Sequence, residues 1–215
     1  MSFGHEEGGR LSAEEMAAFS RIAGWLADAF WDVPSPQMVS GFPAEDLRTL
    51  SSRFQSADRV MTCMEELSGI DEGVLKEMRV EFTSLLCSNH KDAPFPYESV
   101  YSTQERLLMR SSRDDVVAQY EAAGFRPLQE SGHEPEDHLS IQLRFLAALL
   151  AAEAGVQGEL VSIFPEEARE TRKRFVAEHM KGWIPRFAKE VEARAQLPLY
   201  PALARLAVDV TDSMT

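Results

Sequence analysis

One short stretch of this 215-residue chain gathers side chains able to do chemistry: Glu134-Pro135-Glu136-Asp137-His138. Asp137 and His138 can be read as an acid–base pair. They can equally be read as a polar cluster that takes a guanidinium or a polar peptide group, because a carboxylate holds arginine through two parallel charge-assisted hydrogen bonds. Neighbouring residues on a helix point about 100° apart, so an acid–base pair there need not converge on one substrate atom. A plainer role is also open. With Pro135 at the first helical position, the carboxylates lie at or in the first turn, where they complement the helix dipole and cap exposed amides. His138, one turn in, is then a hydrogen-bonded structural residue. His133 and His138 invite a zinc reading, but they are five apart with Pro135 between them. A metalloprotease helix carries its two histidines four apart on one face. Cys63 and Cys87 lack neighbouring cysteines, and each lies in an amphipathic pattern that reads as a buried thiol. No metal ligand set, phosphate-cradling glycine loop or nucleophile with its base can be nominated.

The second candidate stretch is SNHKDAPFPYESVYS, residues 88–102. Its prolines and aromatics, without helical period, mark a loop about fifteen residues long, and loops of that length carry function or are disordered. Phe95, Tyr97 and Tyr101 argue against disorder. Tyr97 and Tyr101 read equally as loop-packing aromatics and as a wall for a ligand. The nine methionines adapt to varied apolar ligands, yet they fit core filling at least as well.

Helices must position both stretches. Ser12-Ala-Glu-Glu15 has the capping-box spacing, and Met16, Phe19, Ala23, Leu26 and Phe30 follow at helical steps. Pro34 and Pro36 predict the end of that helix. Further periodic runs pass through Leu47, Leu50 and Phe54, then through Val60, Met61, Met64 and Leu67, stopping at Ser68-Gly69. Another covers 71–87 through Val74, Leu75, Met78, Phe82, Leu85 and Leu86. Short helices are expected over 104–109 and 114–123, the latter closed by Gly124. Residues 135–154 are apolar on nearly all sides, the pattern of a central helix surrounded by others. The chain continues with helices over 165–179, 183–195 (Pro185 in its first turn) and 199–212. Neither an alternating run with turn chemistry nor a solenoid repeat is found. The expectation is an all-α fold, a single globular bundle of nine or ten helices over 12–215, preceded by a flexible tail, 1–11.

Lys+Arg number 22 against Asp+Glu 35, a net charge of −13. That sign opposes nucleic acid and anionic membrane surfaces and suits a basic partner such as an arginine-containing peptide. No run reaches the roughly 18 apolar residues of a membrane span. The first residues, MSFGHEEGGRLSAEEM, lack the apolar core of an export signal. A cytoplasmic location without stable membrane insertion is therefore expected.

Glu134-Pro135-Glu136-Asp137-His138-Leu139, leading into Gln142-Leu-Arg-Phe-Leu146, resembles the signature of the TorD/DmsD family of cytoplasmic redox-enzyme maturation chaperones, within the NarJ-like superfamily. Pro96-Tyr97-Glu98-Ser99-Val100-Tyr101 resembles the family's proline- and aromatic-containing segment upstream of that signature. His179-x-x-x-Trp183 with Phe187, then Tyr200 and Leu203-Ala204, is similar to its C-terminal helices. The resemblance implies an all-helical chaperone without catalytic activity. Its partner would be the precursor of a molybdopterin-containing oxidoreductase of the dimethyl sulfoxide/trimethylamine N-oxide reductase type, bound through its twin-arginine leader and often its body until the cofactor is inserted. A nitrate reductase-like or leaderless client is the alternative. Carried over position by position, Asp137 and His138, with Glu134 and Pro135 beside them, match the leader-binding positions. Tyr97, Glu98, Ser99 and Tyr101 match the loop that lines the same groove. No resident cofactor or metal is expected; some relatives bind guanine nucleotide weakly, and no phosphate cradle is identifiable here. The resemblance is compatible with a monomer or a dimer, with the loops around Pro94 and Gly155 as candidate swapping hinges.

Overall fold

The computed structural model describes residues 11–67, 72–88, 90, 92–102, 106–108, 111–126, 135–156 and 161–214. The expected tail, apart from Leu11, lies outside the described residues; Leu11 packs against the core. The described chain is helical: α1 (Ala13–Trp31), α2 (Pro36–Ser40), α3 (Ala44–Ser51), α4 (Gln55–Leu67), α5 (Glu72–Leu86), α6 (Glu98–Ser102), α7 (Ser111–Ala122), α8 (Leu139–Glu153), α9 (Pro165–Phe175), α10 (Ile184–Arg194) and α11 (Leu199–Asp212). Between α9 and α10 runs a π-helical turn, Val176–Met180. No strand is described, and α2 and α6 have five residues each, so the nine longer helices match the expected count.

The start of α1 is the predicted capping box. Ser12 N–H donates to Glu15 Oε2 at 2.9 Å, and Glu15 N–H donates to Ser12 Oγ at 3.1 Å. α1 and α8 form the central pair. Gly24 faces Ala147, leaving room for the backbones to approach, and Ser20 Oγ donates to Ala147 O at 2.8 Å. On its other side α8 carries Phe145 into an aromatic cluster, with centroids 4.8 Å from Tyr120, 5.0 Å from Phe125 and 4.8 Å from Phe175. Leu139, Leu143, Phe145, Leu146, Leu149 and Leu150 have no exposed surface, and each such burial stabilises by about 1.5–3 kcal/mol. α11 packs on α10 and α4, and α9 on α8.

Five expectations are corrected. The central helix begins at Leu139 rather than at Pro135, and His138 is its N-cap. The 88–102 loop ends in α6. Residues 106–108 are not helical: Arg106 takes φ 53°, left-handed geometry that a continuing helix excludes. Its guanidinium is held by Glu190 and by the Ala93 carbonyl. Pro36 opens α2, where its missing N–H costs nothing, instead of only closing α1. Cys63 is buried as expected, whereas Cys87, just past the end of α5, is exposed.

Candidate peptide-binding site

The two candidate stretches meet. Leu139 N–H donates to Pro96 O at 2.8 Å and Glu98 N–H to Asp137 O at 3.2 Å, closing an isolated antiparallel bridge between Tyr97 and His138. This pairing explains the late start of α8: Asp137 O and Leu139 N–H are committed to the 96–98 segment. His138 then caps α8, its Nδ1 accepting Ser140 N–H at 3.1 Å. Asp137 has no exposed surface, and its Oδ2 accepts the Ser99 N–H at 2.8 Å, satisfying a free donor of α6. Asp137 Oδ1, Ser99 Oγ and Ser140 Oγ are buried without a hydrogen-bond partner among the described residues.

A chain of buried polar groups runs on from this seam. Glu98 Oε2 accepts from Gln142 Nε2 at 2.7 Å, and Glu98 Oε1 lies 3.1 Å from His179 Nδ1. Trp183 Nε1 donates to Gln142 Oε1 at 3.2 Å and to His179 O at 2.6 Å. The π-helical turn carries His179, so its widened winding is what accompanies the buried position of that imidazole. Burial raises the Glu98 carboxyl above its ordinary range, opposed by the hydrogen bond and charge of His179 and by Gln142.

Tyr101 anchors the far end. Its hydroxyl donates to Glu190 Oε2 at 3.1 Å, and its ring stacks on Trp183 at 5.6 Å. The guanidiniums of Arg106 and Arg186 flank that ring at 5.2 and 5.4 Å. Burial first, then the charge of Glu190, pushes the hydroxyl above the ordinary tyrosine range. Tyr97 is half-buried, edge-on to His138 at 4.9 Å, and Trp31 meets the same imidazole at 5.5 Å. Burial alone takes the His138 pKa down to about 3.

The structure thus brings Tyr97, Glu98, Ser99, Tyr101, Pro135, Asp137 and His138 together; Glu134 and His133 lie outside the described residues. All but Tyr97 are buried. The carboxylates of 136–137 do not share a helical first turn as expected. Asp137 faces inward, and Glu136 is ion-paired with Arg113 at 2.6 Å. Burial pushes Glu136 up, but the hydrogen bond from Arg113 and its charge outweigh this and hold the carboxyl below the ordinary range. Gln142, Glu190, Arg106 and Arg186 were not nominated from sequence. Gln142, a polar residue in a helix that is apolar on nearly all sides, was the available sign. No group of three or more His, Cys, Asp or Glu positioned to hold a metal occurs among the described residues.

Beside the seam, a groove of about 920 Å3 opens between α5 and residues 194–197, with Ala93 and Pro94 of the 88–102 segment at its edge. The described residues thus form a helical bundle with a buried polar seam and an open groove beside it. Residues 45–189 match the family described as nitrate reductase delta subunit, and the chain belongs to that family. Its relatives include "Chaperone protein TorD" of Vibrio cholerae serotype O1, classical strain O395, 30% identical over 196 residues, covering 88% of this chain and 86% of that protein. Another is the TorD chaperone of Aliivibrio salmonicida, 23% identical over 205 residues, covering 90% and 93%. The chain is thus a member of the TorD/NarJ group of chaperones, a family without catalytic activity, and the acid–base reading of Asp137 and His138 falls with that finding. No helix among the described residues is long and apolar enough to cross a membrane.

Proposed function

We propose that this protein is a cytoplasmic maturation chaperone for an exported molybdoenzyme of the dimethyl sulfoxide/trimethylamine N-oxide reductase type. It holds the apo catalytic subunit by its twin-arginine leader, its body, or both, until the molybdopterin cofactor is inserted. The observation that carries this reading is the relation, over 88% of the chain, to a protein named chaperone TorD. The net charge of −13 supports it, since a leader presents arginines.

In this reading residues 12–215 act as one unit. Tyr97 offers surface to the peptide, while Glu98, Ser99, Tyr101, Pro135, Asp137 and His138 hold the wall from behind; Glu134, next in sequence to Pro135, is assigned to leader binding on the resemblance alone. A second reading is favoured by the family description itself: a nitrate reductase-like client in place of the reductase named above. The test is affinity capture from the native host's cytoplasm, with bound proteins identified by mass spectrometry. A molybdoenzyme precursor with its leader is the expected partner. A nitrate reductase-like subunit would shift the assignment to the second reading, and capture of no molybdoenzyme while one is expressed would overturn both.

A further inference from the structure

Among the described residues, Arg106 is the only one other than glycine with a left-handed backbone, at φ 53°. Such geometry is uncommon outside glycine. It persists only where the surroundings over-determine it, most often at clamps and switch segments. Here the surroundings form a seat shaped for a guanidinium. Nη1 donates to Glu190 Oε1 at 2.6 Å and Nη2 to Glu190 Oε2 at 2.9 Å, a two-pronged pair with α10. Nη2 also donates to Ala93 O at 3.0 Å, and the guanidinium lies 5.2 Å from the centroid of the Tyr101 ring.

This seat is built to open. The Arg106 and Glu190 side chains are 28% and 26% exposed. Leu107 and Leu108, next along the chain, are 48% and 46% exposed, so apolar burial adds little to hold the segment. Arg106 Nε is buried without a hydrogen-bond partner among the described residues, which weakens the hold further. Glu190 also has a second cation within reach. Arg186, one turn earlier on α10, lies 5.4 Å from the same Tyr101 ring and donates to Tyr101 O at 2.5 Å. An i, i+4 pair on a helix is a favourable one, so release of Arg106 does not strand the Glu190 carboxylate. What Arg106 holds is the front of the 93–98 stretch. Pro96 O and Glu98 N–H are bonded across the seam to Leu139 and Asp137, whereas the N–H groups of Ala93 and Phe95 reach only His90 and Ala93. The bond from Arg106 to Ala93 O is the one that crosses the fold at that end. Ala93 and Pro94 are also the edge of the groove beside α5.

We propose that Arg106 is a releasable clasp on that edge. With Arg106 on Glu190 the Ala93–Phe95 stretch is fixed. With Arg106 released and Glu190 passed to Arg186, the stretch moves while the Tyr97–His138 bridge stays closed. The clasp thus regulates the groove edge without disturbing the polar seam. That this edge serves client binding rests on the proposed function; the clasp itself does not.

The test is backbone amide exchange on the full chain, followed by NMR, comparing the Phe95 amide with those of Glu98 and Leu139. Arg106→Ala is expected to speed Phe95 exchange about tenfold or more, as loss of charge-assisted hydrogen bonds does, with Glu98 and Leu139 unchanged. Arg106→Lys should match it, because an ammonium cannot form the two parallel bonds while stacking on Tyr101. Glu190→Gln should act in the same direction from the other partner. Arg106→Gly, free of the backbone constraint, should exchange as fast at Phe95 yet melt at a higher temperature than Arg106→Ala. Phe95 exchange equal in the wild-type chain and these variants would overturn the clasp. Glu98 and Leu139 speeding up as much as Phe95 would overturn it too, since Arg106 would then be a general staple of the fold. Affinity capture decides the chaperone reading apart from either result.

Discussion

The imidazole of His138 shows how burial selects among the roles open to one side chain. Its Nδ1 accepts the Ser140 N–H, and Tyr97 and Trp31 face it edge-on, so the neutral ring is both a helix cap and a packing element. Burial alone takes its pKa down to about 3, because a charged ring would lose its hydration there. In an unfolded chain it is about 6.5. Between those values the unfolded state binds the extra proton. The contribution to stability is therefore complete above about pH 6.5 and is lost as pH falls toward 3, by at most about 1.4 kcal/mol per pH unit. Glu98 works in the opposite sense: its carboxyl is raised, so its contribution is present below the ordinary carboxyl value and lost as pH rises through the folded one. His138→Asn separates the two, because asparagine keeps a capping oxygen and does not titrate. In urea denaturation at pH 5, 6 and 7 the wild-type chain should lose stability on acidification more steeply than the variant. Parallel stability–pH curves would show that His138 does not titrate with folding.

At the scale of elements, Arg172 of α9 is a buried tie. Its Nε donates to Glu153 Oε2 of α8 at 2.7 Å and its Nη1 to Met214 O, beyond α11, at 2.5 Å. Both side chains are almost wholly buried, at 6% and 3% exposed. Arg172→Ala strands a buried carboxylate, which typically costs about 3–5 kcal/mol. Arg169, 3.7 Å from the other oxygen of Glu153, takes up part of that charge and sets the expectation at the lower end. Arg21→Ala, which breaks the more exposed pair with Asp46, should cost less than about 1 kcal/mol. Urea melts of the two variants test this contrast, and similar small shifts would mean that α9 is held by its apolar face alone. The elements legible in the sequence are those whose ends are decided locally. The Ser12–Glu15 box starts α1, Gly124 at φ 68° closes α7, and Pro185 opens α10. The start of α8 and the existence of α6 were not legible. Their deciding bonds, Leu139 N–H to Pro96 O and Ser99 N–H to Asp137 Oδ2, join residues about forty positions apart. The same reason limits the site. The residue types at 97–101 and 135–138 pointed to one place, but nothing local shows that Asp137 turns inward or that Gln142, His179 and Trp183 continue its polar seam.

For the whole molecule, charge acts at a range that no single contact has. The chain carries 35 acidic against 22 basic residues, and Arg21, Arg106, Arg113, Arg144 and Arg172 are each engaged by a carboxylate. A cationic peptide approaching from solvent therefore meets a net attractive field before it touches the groove. Such a field raises the rate of encounter, and salt removes it, because screening shortens its reach from about 30 Å at 0.01 M to about 3 Å at 1 M. A guanidinium held in a site closed off from solvent is shielded by its walls, so salt should reach it far less. The association rate of a synthetic peptide with two adjacent arginines is accordingly expected to fall about tenfold or more between roughly 0.01 and 0.5 M salt, with a dissociation rate that changes much less. Stopped-flow fluorescence separates the two rates. An association rate indifferent to salt would show that the acidic surface serves solubility alone. A dissociation rate that rises with salt as steeply as association falls would place the arginines on the exposed surface.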